Sequence, residues 1–502
     1  MMTELSVPFI KSLGELPGID ADALARALTQ TPPGIGYRLN VRKSAATDGA
    51  NSLYPDSQPV EWCESGATLT ERPVFTLNPL LHAGAFYVQD PSSMIHQQIT
   101  SRLRESICKD SICVLDFCAA PGGKTTAIIN SLRDEDIVVA NEYVAQRGKI
   151  LRENLQKWGF PNVVTTGDAS SLYRNLPPMF DIIAIDAPCS GEGMMRKDAD
   201  ARSQWSERLV EECAALQREI LSDIAGCLLP GGYLIYSTCT FNLHENEENS
   251  RYIAENLGLT PVSFDELGIQ GIERVGKSLV PRVEALRFMP HFTPEGEGLY
   301  VSVFRKEVDS ESSYLREEVC ECSRETKKGK EKGNRDGKGK DKKGGKWKPL
   351  QASLTSEMKA TLESWVKTPT DITFELNDSS IYAIPNSVVY IRDRLRDAGV
   401  HITSAGVPAA EIKGKDIAPD SRLTLSDIFN REAFQAVDLE LEDTLRFLRR
   451  ESFPIPEYAD GRSSNISRGY VVIQYKGYPL GIMKNLGNRA NNLFPQAWRI
   501  HI

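Results

Sequence analysis

Thirteen residues, VLDFCAAPGGKTT from Val114 to Thr126, constrain this chain more than any other stretch. An apolar run breaks into Ala-Ala-Pro-Gly-Gly and restarts as a helix at Lys124-Thr125-Thr126. Strand, small-residue turn, helix is how an open α/β sheet forms a crevice beyond the carboxyl end of its first strand. The helix start leaves N–H groups unpaired, and small residues let a ligand approach the backbone. Two phosphate-binding loops fail on spacing. A P-loop needs glycine where Cys118 stands, and the dinucleotide fingerprint needs Gly-x-Gly-x-x-Gly where only the adjacent pair Gly122-Gly123 is present. The turn therefore predicts a site for a nucleoside that carries no pyrophosphate.

From residue 96 to 306 the pattern is βαβαβ, with an acid ending each early strand. The strand ends are Asp116, Glu142, Asp168 and Asp186, and a fifth strand runs into Thr238-Cys239-Thr240. Near-continuous apolar strands between helices predict a parallel sheet buried on both faces, whose carboxyl ends line one crevice. A carboxylate after the second strand accepts bonds from ribose hydroxyls, which assigns Glu142. Asp168 is placed to reach an adenine-type amino group, and Lys124 and Arg147 to engage a ligand carboxylate. An adenosine with an amino-acid tail, S-adenosylmethionine, fits this set. Two cysteines fall in turn-rich contexts beyond strand ends, Cys189 in Asp186-Ala187-Pro188-Cys189-Ser190 and Cys239 in Ser237-Thr238-Cys239. Two thiols at the mouth of one crevice, each near an acid or hydroxyls, point to chemistry.

The remaining chain divides around this core. Residues 1–95 read as a small mixed entry domain, with a helix at Asp20–Leu28 and a strand at Tyr37–Asn40. Its Arg38 and Asn40 are candidate RNA contacts or plain surface groups. Residues 307–350 read as a flexible linker. Between Arg324 and Lys348 stand twelve basic and four acidic residues, a local +8 on a chain of net −9, so the remainder carries −17. A basic segment on an acidic protein suits a polyanion partner or a solvated spacer. Residues 351–502 read as an α+β or β-barrel-like RNA-binding domain, with a strand at Ser387–Ile391, a helix near Leu439–Arg450 and a hairpin at Gly469–Gly481. Lys484, Asn485, Arg489, Asn491 and Asn492 alternate with Phe494 and Trp498. That mixture suits looped RNA, or equally a barrel whose aromatics are core. Ten scattered cysteines, an acidic start without a leader-like apolar region, no 18-residue apolar run and no metal-ligand spacing predict a reduced, cytoplasmic monomer with neither metal nor membrane span.

Together, DFCAAPGGKTT (116–126), Asn141-Glu142, Gly167-Asp168-Ala169, DAPCSGEG (186–193) and STCTFNLHENE (237–247) resemble the Nop/Sun family of RNA 5-methylcytosine methyltransferases. FYVQDPSSM (86–94) looks like the family's entry segment. The tail from Gly469 is similar to the closing region of members that act on small-subunit ribosomal RNA. The resemblance implies a Rossmann-like class I methyltransferase sheet that uses S-adenosylmethionine. It implies that backbone from Cys118 through Ala119, Ala120, Pro121, Gly122 and Gly123 to Lys124 cradles the methionine part. Glu142 then binds ribose, Asp168 binds adenine, and Asp186 borders both cofactor and target base. Cys239 takes the position of the nucleophile that adds to cytosine carbon 6, and Cys189 that of the thiol assisting release. The long basic linker departs from the family pattern. Competing readings are a transfer-RNA enzyme, a DNA-type enzyme with Cys189 as nucleophile, and a non-catalytic ribosome-assembly factor. The linker and tail are expected to supply RNA affinity, so that a chain ending near Lys306 keeps cofactor binding.

Overall fold

The computed structural model describes residues 5–43, 53–174, 176–308, 354–414, 416–457 and 466–501. The basic segment 324–348, with Trp347, lies outside the described residues.

The amino-terminal region begins with helices Val7–Gly14 and Ala21–Gln30, the second capped by Asp20, whose carboxylate accepts from the Ala23 N–H at 2.8 Å. Strands β1 (Ile35–Leu39), β2 (Gln58–Val60), β3 (Cys63–Leu69) and β4 (Phe86–Val88) form an antiparallel sheet in the order β2-β3-β1-β4. Arg38 and Asn40 do not face solvent. Both are fully buried. Arg38 donates to Gln89 at 3.0 Å and to Thr126 Oγ1 at 2.6 Å, and its guanidinium lies over the Trp158 ring. Asn40 donates to the carbonyls of Gly84 and Trp158, each at 2.9 Å. These polar groups weld the entry sheet to the catalytic core, where a buried group must find a partner.

That core is one sheet. Its strands are β5 (Cys113–Phe117), β6 (Ile137–Glu142), β7 (Asn162–Thr166), β8 (Phe180–Asp186), β9 (Leu228–Thr238), β10 (Thr260–Pro261), β11 (Gly276–Lys277), β12 (Leu286–Phe288) and β13 (Leu299–Arg305). The order is β11-β12-β13-β9-β8-β5-β6-β7, parallel from β9 to β7, with β13 antiparallel beside β9 and β10 beside β13. Strands β5, β6 and β9 are buried at every position, in keeping with their largely apolar sequences.

The carboxy-terminal region does not stand apart. After β14 (Ile372–Asn377) and β15 (Ser380–Pro385) the chain forms helix Asn386–Asp397, then β16 (Ile402–Ala405), which pairs antiparallel with β7 and extends the catalytic sheet. The strand expected at Ser387–Ile391 is therefore helix. Val388, Ile391 and Leu395 recur at helical spacing and bury against the core that holds Phe117 and Val163. Strands β14, β15, β17 (Val407–Lys413) and β18 (Asp416–Pro419) make a second small sheet. Strands β19 (Gln435–Asp438), β20 (Gly469–Tyr475), β21 (Tyr478–Asn485) and β22 (Ala490–Asn492) make a third. The β20–β21 turn places Lys476 at φ 50° and Gly477 at φ 77°, the two left-handed positions of a tight hairpin. Phe494 and Trp498 are core here, while Lys484, Arg489 and Asn491 are exposed. Among the described residues no helix is long and apolar enough to cross a membrane.

Candidate active site

The crevice lies at the carboxyl edge of β5–β9. After β5, Cys118 takes φ 65° and Gly122 φ 111°, folding the chain back before helix Gly123–Ile129. Asp116 is buried beneath this turn. Its Oδ2 accepts from Thr125 Oγ1 at 2.5 Å, while Oδ1 has no partner. Burial raises its pKa to about 7, against the Thr125 bond that lowers it. Glu142 ends β6, almost wholly covered. It accepts from Ala120 N–H at 3.3 Å and Val144 N–H at 3.0 Å. Arg147 lies 3.5 Å from Glu142 and donates to the Ala120 carbonyl at 2.8 Å, so it braces the turn. Asp168 stands two residues beyond β7, half-buried, and accepts from Ser170 at 2.8 Å. Lys124 reaches across to Asp186 Oδ2 at 2.7 Å. Burial pulls the Lys124 pKa down, but the charge and hydrogen bond of Asp186 outweigh it and the ammonium is held above its ordinary value.

The loops after β8 and β9 bring the two thiols together. Cys189 Sγ and Cys239 Sγ are 3.2 Å apart, both free thiols. Backbone bonds from Ala187 N to Ser237 O and from Gly193 N to Cys239 O, both 2.9 Å, fix the loops side by side. The contact with Cys239, then burial, push the Cys189 thiol well above its ordinary pKa.

Two buried carboxylates lock this geometry without a cation. Glu245 accepts from Ser190 N–H (3.0 Å), Ser190 Oγ (2.5 Å), Gln217 (2.8 Å) and Asn242 (2.7 Å). Burial raises its pKa, and the Ser190 and Asn242 bonds oppose that. Glu192 accepts from Phe241 N–H at 2.6 Å, Asn242 N–H at 3.0 Å and the Trp205 indole at 2.9 Å. Each replaces water with several donors, as a buried charge requires. His96, from helix Ile95–Ser106, completes the floor. Its Nε2 lies 3.2 Å from Ser237 Oγ, which lies 3.2 Å from Asp186 Oδ1.

The structure thus brings Asp116, Lys124, Glu142, Asp186, Cys189 and Cys239 to one edge. The sequence alone does not single out Glu192, Glu245, His96 and Ser237 as working residues. Glu192, Ser237 and Glu245 stand inside the family motifs, so a signal is present, and only their burial and partners reveal what they hold. His96 carries no local signal. A buried ammonium, a carboxylate open to the crevice and a thiol pair suit covalent addition to an electron-poor ring. Among the described residues no group of three or more His, Cys, Asp or Glu is placed to hold a metal.

Residues 108–305 match the family model described as 16S rRNA methyltransferase RsmB/F. Residues 434–500 match the methyltransferase RsmF PUA domain, and residues 5–91 the N-terminal domain of 16S rRNA methyltransferase RsmF. The chain is 31% identical over 481 residues to ribosomal RNA small subunit methyltransferase F of Photobacterium profundum, covering 94% of this chain and 92% of that one. It is 30% identical over 472 residues to the protein of the same name from Aeromonas salmonicida, covering 91% and 89%. A solved structure of NSun6 from Pyrococcus horikoshii with SFG aligns at TM-score 0.50 and 18% identity, covering 62% of this chain and 100% of that chain, a likeness of fold.

Proposed function

Because this chain belongs to the ribosomal RNA small subunit methyltransferase F family, we propose that it transfers a methyl group from S-adenosylmethionine to carbon 5 of a cytosine in small-subunit (16S) ribosomal RNA. The observation that carries this reading is the thiol pair, Cys189 and Cys239 at 3.2 Å, beside the Lys124–Asp186 ion pair.

The residues present fit S-adenosylmethionine. The turn offers a helix start lined by Gly122 and Gly123, with the unpartnered Asp116 Oδ1 beneath it. Backbone from Cys118 to Lys124 would hold the methionine part, Glu142 the ribose and Asp168 the adenine. Bound there, S-adenosylmethionine supplies an electrophilic methyl group. The chain's own residues make cytosine reactive. Carbon 5 is a poor nucleophile until a thiolate adds to carbon 6, and Cys239 takes that role. The Cys189 and Cys239 sulfurs are in hydrogen-bond contact, and that contact with burial pushes the Cys189 thiol up. The position of Cys239 in the Thr238-Cys239 motif, which the family resemblance gives to the nucleophile, supports Cys239 over Cys189. Asp186 would face the N3/N4 edge of the base. Once carbon 5 carries the methyl, a water molecule acting as base takes the carbon 5 proton. The C–H pair restores the carbon 5–carbon 6 double bond, and the Cys239 sulfur leaves with the S–C pair, with Cys189 assisting. The target must leave its stack to reach the thiol.

Incubating the full chain with methyl-labelled S-adenosylmethionine and, in parallel, 16S rRNA, the assembled small subunit or transfer RNA tests this. Label at one cytosine, mapped by bisulfite resistance, is expected. Label in neither substrate rejects the assignment, and label in transfer RNA alone transfers the activity to the competing RNA class.

A further inference from the structure

The sulfurs of Cys189 and Cys239 are 3.2 Å apart, and a disulfide closes that distance to about 2.0 Å. The backbone already suits such a bond. Asp186 and Ser237 are partners in the ladder between β8 and β9. Neighbouring strands lie about 4.8 Å apart, within the span of about 4.4–6.8 Å that a disulfide bridges between its Cα atoms. Beyond the strand ends the two loops stay side by side. Ser190 Oγ lies 2.9 Å from Thr240 Oγ1, and the Asn242 amide donates to both hydroxyls, at 3.4 and 3.0 Å. Glu245 holds the first loop through the Ser190 N–H and hydroxyl, and Glu192 holds the second through the N–H groups of Phe241 and Asn242. Rotation of the two side chains is therefore enough to bring the sulfurs together. Both thiols are half-buried, so a small oxidant in the crevice reaches them. Among the described residues no other two sulfurs are in contact, and the exposed Cys108 stands alone.

We propose that this pair is a reversible oxidation site, at which hydrogen peroxide joins Cys189 to Cys239 in a disulfide that withdraws both working sulfurs until a dithiol reduces it. The bond stands on the geometry of the thiols, and its effect on methyl transfer rests on the function proposed above. In the first step the thiolate of Cys239, the sulfur given the nucleophile's role, attacks one oxygen of the peroxide. The O–O bond breaks, the sulfur becomes a sulfenic acid, and the departing hydroxide takes up the proton that the thiol has lost. In the second step the Cys189 sulfur attacks the sulfenic sulfur. The S–S bond forms, the S–O bond breaks, and the departing hydroxide leaves as water with the Cys189 proton. The two thiols together give up two electrons and two protons, and the peroxide is reduced to two waters. A second thiol at contact distance closes the bond before further peroxide carries the first sulfur to sulfinic acid, which thiols do not reverse. Reduction runs through a mixed disulfide with the added dithiol, which is oxidised as both cysteines regain their protons.

The full wild-type chain is treated with hydrogen peroxide, its remaining thiols are blocked with iodoacetamide, and it is digested without reduction. Mass spectrometry should find the Cys189 and Cys239 peptides linked to each other, and dithiothreitol should return both to free thiols. In parallel, methyl transfer to 16S rRNA should fall in proportion to the linked fraction, vanish at full linkage and return with dithiothreitol. Cys189 and Cys239 peptides that stay unlinked at a peroxide dose that oxidises Cys108, or that carry sulfinic acid in place of the link, overturn the oxidation site. Methyl transfer that persists in fully linked protein overturns its effect on activity. A chain that links the two thiols but transfers no methyl group even before peroxide is added rejects the parent function and upholds the oxidation site.

Discussion

The Sγ atoms of Cys189 and Cys239 stand 3.2 Å apart on loops that follow neighbouring parallel strands. Their roles separate when each is removed. Cys239→Ala should abolish both methylation and any covalent protein–RNA species. Cys189→Ala should still form the bond to carbon 6 and release it poorly, so that a denaturation-resistant complex accumulates. A denaturing gel with labelled rRNA and S-adenosylmethionine decides it. A retarded band for Cys239→Ala and none for Cys189→Ala reverses the two roles.

Glu142 accepts two backbone N–H bonds in the turn and would take the ribose hydroxyls as well. Charge-assisted bonds contribute about 1.5–3 kcal/mol each, so Glu142→Ala should weaken S-adenosylmethionine binding by about tenfold or more. Calorimetric titration of the folded variant is the check, and unchanged affinity removes Glu142 from the cofactor site.

Asp116 gives stability a pH slope. Its carboxyl has a pKa of about 7 folded against 3.8 as the ordinary value. The native state therefore binds this proton more tightly than the unfolded chain. The stabilisation is fully present below about pH 4 and is lost as pH rises toward 7. A proton held about a thousandfold more tightly contributes at most about 4 kcal/mol. Asp116→Asn cannot ionise, so its stability relative to wild type should rise by about 2–4 kcal/mol between pH 4 and pH 8. Urea unfolding of both proteins at the two pH values measures the difference, and a constant difference refutes the buried acid.

A chain ending near Lys306 should not behave as the sequence alone suggests. It lacks β16, which covers the β7 edge, and helix Asn386–Asp397, whose Val388, Ile391 and Leu395 pack on the catalytic core. Burying such side chains contributes about 1.5–3 kcal/mol each. The truncated protein should melt well below the full chain or aggregate through its open edge. Thermal unfolding and light scattering report this, and a soluble fragment melting with the full chain would mean that the carboxy-terminal region is dispensable to the core.

The sequence carries the catalytic sheet clearly because β5, β6, β8 and β9 are near-continuous apolar runs that end at or beside acids or in the Thr-Cys turn. The placement of both thiols and of the Gly122-Gly123 turn beyond strand ends is legible for the same reason, since local spacing puts them there. The helix Asn386–Asp397 is hidden because Val388-Val389-Tyr390-Ile391 is β-branched and aromatic, and only its distant partners decide the period. Arg38 and Asn40 read as surface groups because their carbonyl and hydroxyl partners lie as far away as Thr126 and Trp158. Glu245 is invisible as a clamp until Ser190, Gln217 and Asn242 converge on it.

The pairing of β16 with β7 places Thr165 opposite Ile402. The order of synthesis therefore bears on this enzyme. At about 5–20 residues per second, roughly 12–50 s separate the emergence of these partners from the ribosome. For that interval the rest of the sheet can assemble around the β5 turn while β7 remains an open edge with unpaired backbone groups. Until residue 405 has left the exit tunnel, the nascent chain holds both thiols and the whole cofactor turn on a sheet that lacks its last strand. The machine whose RNA this protein is proposed to modify must finish more than four-fifths of it before that sheet can close.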